Sequence, residues 1–254
     1  MLSFTTWNVN SIRARMHIAV SFLEEEEIDV AFFQETKVAD EKFPEEPFLK
    51  LGYRVIKKGQ PQYNGVAVLT RFGGEKTTLD FEDPLGQKRL LAVEFGSFIG
   101  VNVYVPRGGY PGEEAFNYKM EFLRRLDRAV RKELERGRSL LVAGDLNIAP
   151  EEIDVFDPGV MRGEVCFLDE EREAFRGLID AGLRDLFRKF NSGKEFTWWD
   201  YRMGAFRRNL GLRIDHILVS EELYNRAISC SVDRKYRGVV RPSDHAPLRA
   251  LFEV

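Results

Sequence analysis

Two cysteines and three histidines in 254 residues leave little material for thiolate or imidazole metal centres. Cys166 and Cys230 stand far apart, without CxxC or Cys/His spacing. That argues against a zinc site and predicts free thiols in a reducing compartment rather than a disulfide. No stretch approaches the ~20 consecutive apolar residues that cross a bilayer. The opening "MLSFTTWNVN" lacks a basic segment followed by an apolar run. A soluble, cytoplasmic chain with no membrane partner is the expectation. Basic excess is also missing: the net charge is −3. A nucleic-acid ligand would therefore need local basic patches or a metal to offset carboxylates. There is no repeat at a 20–50-residue period and no low-complexity linker, so residues 1–254 are expected to form one domain. What is present is core material, with 44% apolar and 12% aromatic residues, enough to exclude a disordered chain.

The apolar pattern alternates between strand and helix periods. "LSFTTWNV" reads as a strand, and "SIRARMHIAVSFLEEEE" as a helix with Ile12, Met16, Ala19, Val20 and Leu23 on one face and Ser11 as its N-cap. "IDVAFFQET" is a short buried strand, and "NGVAVLTRF", "RLLAVEFGS" and "FIGVNVYVP" are successive strands, more antiparallel than βαβ. The strongest helix is "GEEAFNYKMEFLRRLDRAVRKELERG", striped by Phe116, Met120, Leu123, Ala129, Val130 and Leu134 and closed by Gly137. "SLLVAGDLN" is a strand, "EEREAFRGLIDAGLRDLFRKF" a helix, and "RIDHILVS", "RAISCSVD" and "APLRALFEV" are late strands. Clustered strands with helices between the clusters predict an α/β fold of two sheets packed face to face and covered outside by helices.

Several strands end in polar groups: Asn8 and Asn10, Glu35, Tyr104, Asp145 and Asn147, Asp215, and Asp244-His245 before the last strand. Each alone reads as a turn residue, a cap or a surface charge. Together, on one edge of a scaffold, they form an oxygen-rich cluster suited to a hard cation such as Mg²⁺. His17 lies on the first amphipathic helix and reads as a surface residue. His216 follows Asp215 and should point to the opposite face of a regular strand, away from any site that uses Asp215.

The stretches "TWNVNSIRAR", "QETKV", "NGVAVLTR", "NVYVPRGG", "GDLNIAPEEIDV", "FTWWDYR", "GLRIDHILVS" and "PSDHAPL" resemble, in order and along the whole chain, the exonuclease III class of apurinic/apyrimidinic endonucleases. That family lies within the endonuclease/exonuclease/phosphatase superfamily. The resemblance implies a four-layer α-β-β-α sandwich of two mixed sheets flanked by helices, and dependence on Mg²⁺ or Mn²⁺. It also implies hydrolysis of duplex DNA 5′ to abasic sites, with 3′-phosphatase, 3′-phosphodiesterase and 3′→5′ exonuclease activity on blocked 3′ ends, by a monomer. On the matching positions it implies Glu35 as principal metal ligand beside Asn8, with Asp145 and Asn147 within reach and Asp244 near a second metal position. Asp145 would activate or orient the attacking water, or protonate the leaving group, and Asn147 would help orient it and the phosphate. His245 would contact the scissile phosphate or act as base, oriented by Asp215, and Tyr104 would contact the phosphate or assist the leaving group. Trp198, Leu212 and Ile214 would line the pocket for an extruded abasic deoxyribose. Tyr110 and Arg202 would press into the DNA helix, and Asn10, Arg13, Arg107, Arg207 and Arg208 would contact it from basic segments such as "SIRAR" and "YRMGAFRR".

Three positions depart from the pattern. Leu212 replaces a tryptophan common in "GWR(L/I)D", Arg107 replaces a usual amide, and "FDPGVMRGEVCF" lacks the paired asparagines of some relatives. Two other readings remain at this stage: a phosphoinositide phosphatase or sphingomyelinase of the same superfamily, and an inert DNA-binding homologue. Retention of Glu35, Asp145, Asp215, Asp244 and His245 argues against the inert form.

Overall fold

The structure is a computed structural model that describes residues 1–253; Val254, the end of the last expected strand, lies outside the described residues. Its strands are β1 (Leu2–Asn8), β2 (Val30–Gln34), β3 (Arg54–Lys58), β4 (Val66–Thr70), β5 (Glu75–Thr77), β6 (Leu90–Glu94), β7 (Phe98–Tyr104), β8 (Ser139–Asp145), β9 (Arg184–Asp185), β10 (Trp198–Trp199), β11 (Gly211–Leu212), β12 (Asp215–Val219), β13 (Ala227–Val232) and β14 (Leu248–Phe252). The helices are α1 (Ile12–Glu25), α2 (Glu46–Lys50), α3 (Glu114–Glu135), α4 (Pro158–Met161), α5 (Asp169–Asp180), α6 (Leu186–Phe190) and α7 (Glu221–Arg226).

Two six-stranded mixed sheets result, in the orders β13-β14-β1-β2-β4-β3 and β5-β6-β7-β8-β12-β9, with a short β10-β11 ribbon beside them. The pairs β1/β2 and β7/β8 are parallel, crossed by α1 and α3 respectively, and the remaining pairs are antiparallel. The period of two divides each strand between layers. Leu141 and Ala143 of β8 join Phe4 and Phe32 between the sheets. Leu140 and Val142 face Phe122 and Leu126 of α3. Trp7 and Phe33 face Phe22 of α1 on the other flank. This is the four-layer sandwich.

One polar link crosses the apolar interior. Gln34 Nε2 donates to Asn102 Oδ1 at 2.8 Å, and Asn102 Nδ2 donates to the Ala67 carbonyl at 2.9 Å. Such bonds contribute about 1 kcal/mol net each, less than one buried phenylalanine at roughly 1.5–3 kcal/mol. Their effect is therefore to set the register of one sheet on the other.

Local details differ from the sequence reading. Ser11 precedes α1 but sits at φ 83° and makes no side-chain cap. Buried Ile18 and Phe22 carry the apolar face of α1, while Met16 and Val20 lie at its margin. In α3 the buried stripe includes Lys119 and Glu133 as well as apolar residues. The expected long helix after Glu170 ends at Asp180, because Gly182 turns at φ 116°. A two-residue strand, β9, and the short helix α6 follow it.

Candidate active site

Register brings the polar strand ends together. Asp145 pairs across to Tyr104 on one side and Asp215 on the other, and Asn8 is level with Gln34, just before Glu35. All lie on one edge of the sandwich. The backbone there is unusual: Asn10, Ser11, Glu35, Lys37 and Asn147 have φ of 44°, 83°, 51°, 55° and 52°. Left-handed non-glycine residues are sparse, and each costs on the order of 1–3 kcal/mol unless the surroundings impose it. Here the amides of Thr36 and Lys37 donate to the carbonyls of Gly65 and Asn64 (3.1 and 2.9 Å), and Ser11 N donates to Glu35 O (2.8 Å). Gly65 permits that approach, since a Cβ there would lie 2.3 Å from Thr36 Oγ1.

Two hydrogen-bonded groups meet at the edge. Asp215 Oδ2 accepts from His245 Nδ1 at 2.8 Å, and His245 Nε2 stands 3.6 Å from Asp145 Oδ2. That second separation is too long for a hydrogen bond, so the Nε2–H remains available to a substrate oxygen. Asp145 Oδ2 accepts from Asn8 Nδ2 at 2.9 Å, and Asn8 Nδ2 also reaches Glu35 Oε1 at 3.2 Å. The Tyr104 hydroxyl donates to Glu35 Oε1 at 2.5 Å. His245 is fixed from behind: its carbonyl accepts from Trp7 Nε1 and its amide donates to Ser243 Oγ, whose hydroxyl donates to the Asn8 carbonyl. The "SDHAP" segment is thus bolted to the end of β1.

Charge states follow from these neighbours. Burial alone would lower the His245 pKa, but Asp215 and Asp145 outweigh it and raise it to about 10, so the ring is an imidazolium near neutrality. Burial raises Asp145 to about 7, helped by Asp215 and Glu35 and opposed by His245. A carboxylate poised there suits proton transfer at neutral pH. Burial would raise Glu35, but hydrogen bonds from Lys37 and Tyr104 prevail and hold it below the ordinary carboxylate range. Tyr104 is pushed well up by burial and by Glu35 and Asp145, so it remains a phenol donor.

The donor set fits a hard cation. Lys37 Nζ lies 2.7 Å from Glu35 Oε2 and 2.6 Å from Asn10 Oδ1, so an ammonium occupies a place where these oxygens converge. Asp215 Oδ1 is buried without a hydrogen-bond partner among the described residues. Among the described residues, Asp145, Asp215 and His245 also place ligand atoms within 4.8 Å of one another. His245 is the weaker member of that trio, because a protonated ring with Nδ1 committed to Asp215 has no lone pair to offer. The expected ligands Glu35, Asn8 and Asp145 form one group. Asp244 stands at its margin, accepting from Asn10 Nδ2 (2.9 Å) and Trp198 Nε1 (3.0 Å). The side chain of Asn147 is engaged within the protein: Nδ2 donates to the Val105 carbonyl at 3.0 Å, and Oδ1 lies 3.7 Å from Cys166 Sγ.

Trp198, Leu212 and Ile214 do share one apolar cluster, with Val155, Cys166 and Phe167. Leu212 and Ile214 are 5% and 3% exposed, so they form the floor of any pocket rather than an open wall. Tyr110 is exposed and donates to Glu164 (2.8 Å), and Arg202 is exposed and forks onto Asp200. Arg107, Arg207 and Arg208 are exposed, and Arg13 is spent on the Lys42 carbonyl. His17 is exposed, as expected of a surface residue. Both cysteines are free and buried.

Sequence reasoning missed Lys37 and Lys119. Lys119 is fully buried, and its Nζ donates to the Asn147 carbonyl (2.7 Å), the Arg107 carbonyl (3.1 Å) and Glu171 Oε1 (2.6 Å). It ties together the two loops that follow Tyr104 and Asp145. The signal was its position three residues after Phe116 and four before Leu123, a charge on the apolar stripe.

Comparison with known proteins agrees with this geometry. The model of the Endonuclease/Exonuclease/phosphatase family matches residues 5–245. Exodeoxyribonuclease III of Haemophilus influenzae is 38% identical over 267 aligned positions, covering 99% of this chain and all of that protein. An AP endonuclease from Archaeoglobus fulgidus superposes with a TM-score of 0.95 at 37% identity, each chain covered in full. A 3′ phosphatase from Neisseria, solved with a product DNA hairpin, does so at 0.94 and 35%, again with full coverage. The chain belongs to the endonuclease/exonuclease/phosphatase family.

Proposed function

We propose that this chain is a metal-dependent DNA-repair nuclease that hydrolyses the phosphodiester 5′ to abasic sites in duplex DNA, with 3′→5′ exonuclease and 3′-phosphodiesterase/phosphatase activity on blocked 3′ ends. The observation that carries this reading is the Asp215–His245 pair held 3.6 Å from Asp145, which is itself linked through Asn8 to Glu35. Relatives named exodeoxyribonuclease III, AP endonuclease and 3′ phosphatase support it. The working unit is a monomer, a single domain over residues 1–254.

In this reading the attacking water gives a proton to Asp145 as its oxygen bonds to phosphorus, the P–O3′ bond breaks with its electron pair on O3′, and the departing O3′ takes a proton from solvent. The His245 imidazolium donates through Nε2 to a non-bridging phosphate oxygen rather than serving as base. Asp215 fixes the ring and stabilises its charge. Tyr104 keeps its proton and orients Glu35. Glu35 with Asn8 would hold a Mg²⁺ or Mn²⁺ ion, which would supply positive charge to offset the charge that develops during hydrolysis. Trp198, Leu212 and Ile214 receive the extruded deoxyribose, and Arg107, Tyr110, Arg202, Arg207 and Arg208 face the duplex.

A labelled duplex carrying one tetrahydrofuran residue, incubated with Mg²⁺ or with EDTA, tests this. A metal-dependent nick on the 5′ side is expected, with no phosphate released from inositol phosphates. Phosphate release from inositol phosphates with an intact duplex would favour the phosphoinositide-phosphatase alternative.

A further inference from the structure

The loop from Asp145 to Pro150 is buried throughout, so each of its backbone polar groups needs a partner inside the protein. Leu146 N donates to the Ile214 carbonyl and Ala149 N to the Cys166 carbonyl (2.9 and 2.7 Å). Among the described residues, the carbonyls of Asn147, Ile148 and Pro150 find no backbone donor. Side chains supply them: Lys119 Nζ at Asn147 O (2.7 Å), His216 Nε2 at Ile148 O (2.8 Å) and Arg172 Nε at Pro150 O (2.9 Å). Asn147 stands among them at φ 52°, a conformation that persists only where its surroundings impose it.

His216 differs from the two cations because its tautomer is forced. Its Nδ1 lies 3.1 Å from Arg213 Nη1, and a guanidinium can only donate. Nδ1 must therefore carry the lone pair and Nε2 the proton, which is what Ile148 O requires. Arg213 is itself immobilised by Asp154 and Asp185, and the ring packs on Phe175 with centroids 4.8 Å apart. Burial, then Arg213, push its pKa down to about 4, so the ring stays neutral.

We propose that His216 is a positioning residue for phosphodiester hydrolysis, holding the Asn147–Ile148 segment from behind through its Nε2–H to the Ile148 carbonyl. Strand β12 then grips the site from both faces. Asp215 orients His245 on the inner face, and the adjacent His216 fixes the loop of Asp145 and Asn147 on the outer face. The inference rests on the proposed hydrolytic role of Asp145 and His245.

Two experiments test it. In ¹⁵N-edited spectra of the wild-type protein at pH 7, the His216 ring should be the neutral Nε2–H tautomer; an Nδ1–H tautomer or an imidazolium would overturn the proposal. That readout needs no substrate, so it stands even if abasic DNA proves the wrong substrate. In kinetics on whichever phosphodiester the wild type cleaves, folded His216→Leu should lose about 10²-fold in kcat with KM little changed, as displacement of a catalytic group by ~1 Å does. His216→Gln, which can accept from Arg213 and donate to Ile148 O, should recover most of it. A kcat within two-fold of wild type for His216→Leu, or a loss confined to KM, would overturn it.

Discussion

Two of the three imidazoles are buried, and they take opposite charge states: carboxylates override burial at His245, whereas burial prevails at His216. His245 faces Asp215, Asp145 and Asp244 and is raised to about 10. His216 is lowered to about 4 by burial and then by Arg213, against the opposing pull of Asp185 and Asp154. The consequences for stability have opposite signs. For His245 the contribution is full below the unfolded value near 6.5 and fades as pH rises through about 10. For His216 the unfolded chain binds a proton that the folded one refuses between 6.5 and 4, so stability is full above 6.5 and falls on acidification, by roughly 3 kcal/mol. Carboxylates held low, such as Glu35 and Asp154, also lose stability in acid, so the difference from His216→Leu isolates the effect. Urea-denaturation curves from pH 7 to 4 should show the wild type losing stability faster than that variant. Parallel profiles would contradict the buried neutral state.

Among the elements, α3 and α5 meet through Lys119 and Glu171, a pair with no solvent exposure. Breaking a buried pair leaves an uncompensated charge, whereas replacing both partners can be neutral. Lys119→Met should cost about 3–5 kcal/mol and Lys119→Met with Glu171→Leu much less, measured by chemical denaturation; equal losses would contradict the pairing. Because Lys119 also holds the Asn147 and Arg107 carbonyls, the double variant should regain stability without regaining activity. At the pocket, Leu212 in β11 is packed against Val155 and Ile214. Leu212→Trp should therefore destabilise by about 1–3 kcal/mol, so its effect on abasic-over-intact discrimination must be read alongside that loss. A variant as stable as wild type would show more free space than this packing allows.

The same elements show what the sequence could and could not disclose. Glu35, Asp145, Asp215 and His245 were legible because a charge at the end of an apolar strand interrupts a local pattern. Lys119 showed only as a charge on an apolar stripe and His216 only by the face it takes; their partners, and Glu171, were not legible, since those carbonyls and charges come close only when loops fold onto another layer. The short strands β9, β10 and β11 left no period to detect, and Ser11 occupied a cap position without making the bond.

For the whole molecule, the net charge of −3 means that a DNA partner must be held by one face rather than by bulk attraction. Arg207 and Arg208 are exposed without carboxylate partners among the described residues. Replacing both with alanine should weaken duplex binding whatever its sequence and reduce the slope of log affinity against log salt by about 2; an unchanged slope would remove them from the DNA face. No helix among the described residues is long and apolar enough to cross a membrane.

The most direct test of the central claim is the single-turnover rate of nicking 5′ to a tetrahydrofuran residue, with Mg²⁺, for wild type and His245→Ala at matched DNA occupancy. The account predicts a loss of at least about 10²-fold with the fold intact. A His245→Ala protein that nicks at the wild-type rate would contradict it.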